Sequence, residues 1–226
     1  MGLKKHIPNL LTCCNLACGS VGIVKVFNNE LHYATYFIWA ALIFDFFDGF
    51  VARLLKVHSP MGKELDSLAD MVTFGVLPGA ISFQMLNNLT SLVWLPYAGF
   101  LITIFSALRL AKFNIDERQT DSFIGLPTPA NTLFISSLIF VDQAWLTLPV
   151  LLSVIVVFSS LLVAPLEMLA LKFKHFMWQG NEVRYIFIGI SLVSILLFWQ
   201  LALPVIIIAY ICLSIIKRVF FSKNST

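Results

Sequence analysis

DFFDGFVARLLKVHSPMGKELDSLAD, residues 45–70, sets four aspartates into a run that is otherwise largely apolar. Its frame reads D-x2-D-G-x2-A-R-x8-G-x3-D-x3-D and is filled by Asp45, Asp48, Gly49, Ala52, Arg53, Gly62, Asp66 and Asp70. Phe44, Phe46 and Phe47 flank the first pair of carboxylates, and Leu65, Leu68 and Met71 the second. Carboxylates at bilayer depth are costly, so an intramembrane acidic cluster points to a functional site.

The rest of the chain supplies the membrane. Hydrophobic residues make up 59% and charged residues 12%, against about 25% charged in soluble domains, and the mean hydropathy is +0.89. Roughly 20 apolar residues cross a bilayer as a helix. Hydropathy places spans near residues 10–27, 33–55, 62–87, 93–113, 129–142, 147–171, 184–200 and 203–219, the fifth being short. The expected fold is an all-α integral membrane protein, a polytopic bundle of about eight transmembrane helices forming one membrane domain over residues 1–226. No internal repeat, low-complexity tract or separate soluble domain interrupts it, and the longest polar stretch, Asp116 to Ser122, reads as a loop.

Basic residues orient the bundle, because cytoplasmic loops are enriched in Lys and Arg. With eight spans, Lys4, Lys5, Lys56, Lys63, Lys112, Arg118, Lys172, Lys174, Arg184, Lys217, Arg218 and Lys223 fall on one side, and Arg53 and Arg109 lie at helix ends facing it. Only Lys25 falls on the other. Both termini and the acidic frame are therefore expected at the cytoplasmic face. The net charge of +3 is modest and nothing resembles a nucleic-acid arm, so the basic residues are expected to meet anionic lipid headgroups. Asn15-Leu16-Ala17-Cys18 is a poor lipoprotein cleavage site, because Asn15 stands where leucine is normal. Cys13, Cys14, Cys18 and Cys212 lack paired metal-ligand spacing and read as packed thiols.

The acidic frame reads as a helical hairpin. Asp45 and Asp48 are three apart, and Asp66 and Asp70 four apart, so each pair shares a helix face. Ser59 suits an N-cap and Pro60 the first helical position, which makes the two helices antiparallel neighbours across a short turn. At about 1.5 Å per residue, both pairs lie roughly 9–12 Å from that turn, so the four carboxylates can converge. Such a group repels itself unless cations neutralise it or protons are shared. Oxygen ligands without His or Cys favour Mg2+ or Mn2+ over Zn2+, and two such ions can clamp a pyrophosphate. Gly49, Ala52 and Gly62 leave room for a bulky ligand, Arg53 offers a bidentate fork for phosphate, and Ser59 a hydroxyl. A divalent-cation channel or transporter is the rival reading; it leaves the Gly, Ala and Arg positions unaccounted for.

This frame resembles the signature of the CDP-alcohol phosphotransferase family, integral membrane enzymes that move a substituted phosphate from a CDP-linked donor to an alcohol, and all eight positions match. The resemblance implies a six-helix family core, here with two helices more, and two bound divalent ions, Mg2+ or Mn2+. It implies Asp45, Asp48, Asp66 and Asp70 at the metal site, with Asp70 also the general base. Gly49, Arg53 and Ser59 would contact the CDP part of the donor, as would Pro8, Asn9 and Thr12 of a P-N-x-x-T element. A homodimer in a bacterial-type plasma membrane is implied as well.

Further segments narrow the acceptor. Ile7 to Thr12 with Asn15 and Cys18-Gly19, then Arg109 to Asn114, then Phe123 to Ala130, are similar to the branch of the family that uses CDP-diacylglycerol and L-serine. Lys112 departs from the arginine common there, keeping charge but losing the fork. The likeness runs over residues 7–140, the expected catalytic portion, while 143–226 is expected to hold C-terminal transmembrane helices. Arg109, Asn114 and Asn131 are the candidate acceptor contacts; a snorkelling arginine and asparagines satisfying helix-end backbone are the plainer alternatives. Pro127 and Pro129 bound a stiff loop into the fifth span. Glycerol-3-phosphate or inositol are the alternative acceptors within the family, and a phosphate-bearing acceptor would favour additional cationic residues. His58 is expected to be solvated, and Gly75 and Gly79 to serve helix packing.

Overall fold

The computed structural model describes residues 6–57, 59–116, 123–169, 179 and 181–221; His58 and most of the Asp116–Ser122 loop lie outside them. Two long helices, α1 (His6–Phe27) and α2 (Leu31–Leu55), lead into a continuous third made of α3 (Pro60–Asp70), a π-helical segment (Met71–Val76) and α4 (Leu77–Asn87). A 3-10 turn (Leu95–Phe100) runs into α5 (Leu101–Ile115), followed by β1 (Phe123–Ile124), α6 (Thr128–Ser137), α7 (Leu148–Val163), β2 (Glu167–Met168), α8 (Glu182–Phe198) and α9 (Ala202–Phe221). Helix lies at each of the eight positions read from hydropathy. Three of the described helices, His6–Phe27, Pro60–Asn87 and Leu95–Ile115, are long and apolar enough to cross a membrane by themselves.

The outer surface is apolar, with Phe27, Val93 and Leu196 exposed by 82, 83 and 84%. A soluble protein rarely shows so much apolar surface; a lipid-facing bundle does, and this is an all-α membrane protein. Its interior is built from Ile38 of α2, Leu77 and Ile81 of α4, Ile102 of α5, Ile135 of α6 and Leu151 and Ile155 of α7, all fully buried. Phe134 and Phe158 stack at 3.9 Å between α6 and α7.

Small residues let the helices close. A Cβ on Gly19 would strike the Thr73 side chain, bringing α1 against the π-segment, and Gly75 and Gly79 face Ser106 and Thr103 of α5, the packing role expected of them. The cysteines depart from expectation. Cys13 and Cys212 are exposed, Cys14 and Cys18 half-buried, and all four are free thiols, because their helix positions face outward, where a membrane protein meets lipid. Lys25 pairs with Glu30 at 2.7 Å.

The expected span 147–171 is cut short, because α7 ends at Val163. Ala164, just before Pro165, turns to an extended conformation with ψ 141°, as the proline ring requires of its predecessor. The freed chain forms β2, pairing antiparallel with β1 as Phe123 with Met168 and Ile124 with Glu167. Gly125 continues the strap at φ +82°, its N–H donating to the Leu166 carbonyl at 2.8 Å.

Candidate active site

Both ends of the hairpin turn form as the sequence chemistry dictates. Lys56 closes α2 in the left-handed region at φ 51°, with Lys56 N–H donating to Arg53 and Val57 N–H to Ala52, a Schellman-type cap. Ser59 caps α3, its hydroxyl oxygen accepting from Gly62 N–H at 2.9 Å, with Pro60 at the first helical position. The helices therefore run antiparallel with their acidic faces together. One carboxylate oxygen each from Asp45, Asp48 and Asp66 lie within 4.8 Å of one another. Asp70, one turn beyond Asp66, contacts Asp45 and accepts from Asn15 Nδ2 at 3.4 Å.

A divalent ion fits these donors. Oxygens on one such ion at about 2.0–2.6 Å stand no more than about 5 Å apart, and the set is all carboxylate, as a hard cation prefers. Asp48 is 6% exposed, yet the only hydrogen bond its carboxylate accepts from a side chain among the described residues comes from the uncharged Thr12 hydroxyl, at 2.6 Å. Among the described residues, no lysine or arginine forms an ion pair with the cluster to take the place of a metal.

Beside the carboxylates lies a cavity of about 630 Å³ lined by Pro8, Asn9, Thr12, Asp48, Gly49, Ala52, Arg53, Val57, Ser59, Pro60, Gly62, Lys63 and Asp66. All six residues singled out for the nucleotide donor border it: Pro8, Asn9 and Thr12 on α1, Gly49 and Arg53 on α2, and Ser59 at the turn. Gly62 sits where a Cβ would come 2.9 Å from Ser59 Oγ and 3.1 Å from Asn9 Oδ1.

The acceptor candidates separate. Arg109 is 7% exposed, so it does not snorkel. Its Nη1 donates to Thr128 Oγ1 at 3.3 Å, its guanidinium lies 5.6 Å from the Phe113 ring, and it is within electrostatic reach of Asp70. Among the described residues, Arg109 Nε and both amide atoms of Asn131 are buried with no hydrogen-bond partner, although buried polar groups are normally satisfied. Asn114 is engaged differently. Its side-chain amide donates to Ser67 Oγ at 2.9 Å and its backbone carbonyl accepts from Lys63 Nζ at 3.2 Å, tying α5 to α3.

Two residues of the site escaped assignment from sequence. Asn15 touches Asp70, and its place three residues after Thr12, on the same helix face, was the available signal. Lys63 borders the cavity; its adjacency to Gly62 in the frame was the signal there.

Converging carboxylates that could hold a metal ion, beside a cavity with arginine and lysine on its rim, in a helical membrane bundle, suit a membrane enzyme that acts on a phosphate-bearing substrate. The chain belongs to the CDP-alcohol phosphatidyltransferase family, whose model matches residues 5–165. It is 36% identical over 181 residues to the CDP-diacylglycerol–serine O-phosphatidyltransferase of Bacillus subtilis (strain 168), covering 78% of this chain and 94% of the relative. With the protein of the same name from Helicobacter pylori (strain ATCC 700392 / 26695) it shares 31% over 232 residues, 97% and 96% of the two chains. An archaetidylserine synthase of Methanothermobacter thermautotrophicus is 34% identical over 140 residues, 58% of this chain and 56% of the relative.

Proposed function

We propose that the protein is a CDP-diacylglycerol–serine O-phosphatidyltransferase, moving the phosphatidyl group from CDP-diacylglycerol to the hydroxyl of L-serine and releasing phosphatidylserine and CMP. The observation that carries this reading is the convergence of Asp45, Asp48 and Asp66 at a cavity bordered by all six candidate donor-binding residues. The names of its relatives support the serine acceptor.

Asp45, Asp48, Asp66 and Asp70 hold two divalent ions, Mg2+ or Mn2+. When bound, these ions supply the positive charge that stabilises the transferring phosphoryl and the leaving phosphate. Arg53 and Lys63 steady the donor's pyrophosphate, and Pro8, Asn9, Thr12, Gly49 and Ser59 border its cytidine portion. Asp70 accepts the serine hydroxyl proton on a carboxylate oxygen as the serine oxygen bonds to the phosphorus carrying diacylglycerol and the bond to CMP breaks. A positioned base of this kind contributes typically about 10²–10⁴-fold. Arg109 and Asn131 receive the zwitterionic acceptor, their unpartnered buried atoms supporting that role; Asn114, engaged with Ser67, braces α5 against α3 beside it. The site and both termini face the cytoplasm, where water-soluble serine meets the headgroup of a lipid whose acyl tails stay between helices. The enzyme is a homodimer, as its family implies.

CMP release from purified protein in detergent–lipid micelles, with CDP-diacylglycerol and Mn2+ or Mg2+, tests the reading against L-serine, glycerol-3-phosphate and inositol. Serine-dependent release with phosphatidylserine as product is expected. Release with another acceptor alone overturns the serine assignment, and none with any acceptor from folded protein overturns the transferase.

A further inference from the structure

The third membrane helix is continuous from Pro60 to Asn87, but the six residues directly after Asp70, Met71–Val76, are wound as π-helix. A π-turn holds one residue more than the α-turn it replaces, and one residue is about 100° of rotation. The buried set of α4, Leu77, Pro78, Gly79, Ile81, Ser82, Met85 and Leu86, shows what the extra residue does. On an uninterrupted α-helix that set would centre roughly 100° away from Asp66 and Asp70. The π-turn removes the offset. One side of one helix then carries the carboxylates at one end and the packing face at the other.

Hydroxyls from two other helices reach the carbonyls of this turn. Thr132 of α6, fully buried, donates to the Phe74 carbonyl at 2.9 Å, its proton shared with the Thr128 carbonyl of its own helix at 2.9 Å. Thr103 of α5 donates to the Gly75 carbonyl at 3.0 Å. The turn in turn braces α1, because Thr73 donates to the backbone carbonyl of Asn15 at 3.3 Å, the residue whose amide rests on Asp70.

We propose that Thr132 and Thr103 are positioning residues, holding the π-turn through the carbonyls of Phe74 and Gly75 and so fixing the rotation that turns Asp66 and Asp70 toward Asp45 and Asp48. The inference rests on the reading of these aspartates as a metal site. An α-helix is the default winding, and the π-turn persists where something else stabilises it; here the two hydroxyls do so. Without them the helix relaxes toward α-geometry, and the aspartates leave the cluster while the bundle stays assembled.

The test is Mn2+ binding to the purified full-length protein in detergent–lipid micelles, with no substrate, unbound Mn2+ being read by electron paramagnetic resonance beside the thermal midpoint. Thr132→Val and Thr103→Val each weaken Mn2+ binding at least fivefold, and Thr132→Ser, which keeps the hydroxyl, stays near wild type. Thr35→Val is the control. It removes a buried hydroxyl bond from α2 to the Ser136 carbonyl, 3.3 Å, ten residues or about 15 Å along the helix from Asp45, and lowers stability without changing Mn2+ affinity. Wild-type affinity in both valine variants overturns the proposal, as does an equal loss in Thr35→Val. A wild-type protein that binds no Mn2+ overturns the metal site itself and the proposal with it.

Discussion

The Thr12 hydroxyl on α1 donates to Asp48 Oδ2 on α2 at 2.6 Å, sharing its proton with the Pro8 carbonyl at 3.1 Å. The P-N-x-x-T element therefore does more than border the donor cavity. It orients a carboxylate of the acidic cluster with an uncharged group, leaving the negative charge in place for a cation, and its own proton is no longer available to a nucleotide. A hydrogen bond to a charged group is worth about 1.5–3 kcal/mol. Thr12→Val should accordingly lower apparent metal affinity and kcat/KM roughly ten- to a hundredfold, whereas Thr12→Ser keeps most activity; CMP release against Mn2+ concentration measures both.

Gly62 borders the cavity between Asn9 of α1 and Ser59 of the hairpin turn. An added methyl would press on Ser59 Oγ at 2.9 Å and Asn9 Oδ1 at 3.1 Å, disturbing the cap of α3 and the donor wall together. Gly62→Ala should raise the KM for CDP-diacylglycerol several-fold and leave that for serine nearly unchanged. An equal rise in both would remove Gly62 from the donor side.

Asp70 touches Asp45, one of the three carboxylates that cluster within 4.8 Å, and it is the one that accepts from Asn15. Asp70→Asn keeps shape and hydrogen bonding but cannot accept a proton. Because Asp70 is also proposed to help hold the ions, the variant should weaken Mn2+ binding only partly, Asp45, Asp48 and Asp66 still offering one site, and lose turnover by about 10²–10⁴-fold, the contribution of a positioned base. Near-normal turnover of the purified variant would exclude Asp70 as the base.

Ser59 and Pro60 announced the start of α3, and the two aspartate spacings announced which faces meet, because caps and helix periodicity are local rules. The π-turn was less visible. Hydropathy sees only that residues 62–87 are apolar, and one extra residue within six does not change a window average. Its trace was the offset of about 100° between Asp66 with Asp70 and the centre of the whole buried set of α4, a comparison that requires knowing which residues are buried. The early end of α7 is marked in sequence by Pro165, which a hydropathy average over a long apolar run does not register. The partnering of Thr12 with Asp48 and of Thr132 with Phe74 spans 36 and 58 residues and depends on packing alone.

Gly125 holds the strap between β1 and α6 at φ +82°, and a Cβ there would meet the Leu162 carbonyl. Gly125→Ala should destabilise the protein by about 1–3 kcal/mol, the usual range for a side chain forced into a sparsely populated backbone region. A lowered thermal midpoint in micelles, with normal kcat for the fraction still folded, is the expected result. An unchanged midpoint would mean that the strap yields without cost.

Arg109 and Asn131 are read as two halves of one acceptor pocket, and their kinetics can separate that from a structural role. Arg109 Nη1 donates to Thr128, and among the described residues its Nε and the Asn131 amide have no hydrogen-bond partner in the buried interior. If both groups meet the same serine, Arg109→Ala and Asn131→Ala each raise the serine KM by about tenfold, the loss of one hydrogen bond to a charged group. The double variant then falls short of the product of the two, because residues sharing a partner are coupled. Arg109→Lys keeps the charge but loses the fork and should recover only part of the loss. A rise confined to the CDP-diacylglycerol KM would place Arg109 on the donor phosphates, and strictly multiplicative effects would place the two residues on different ligands.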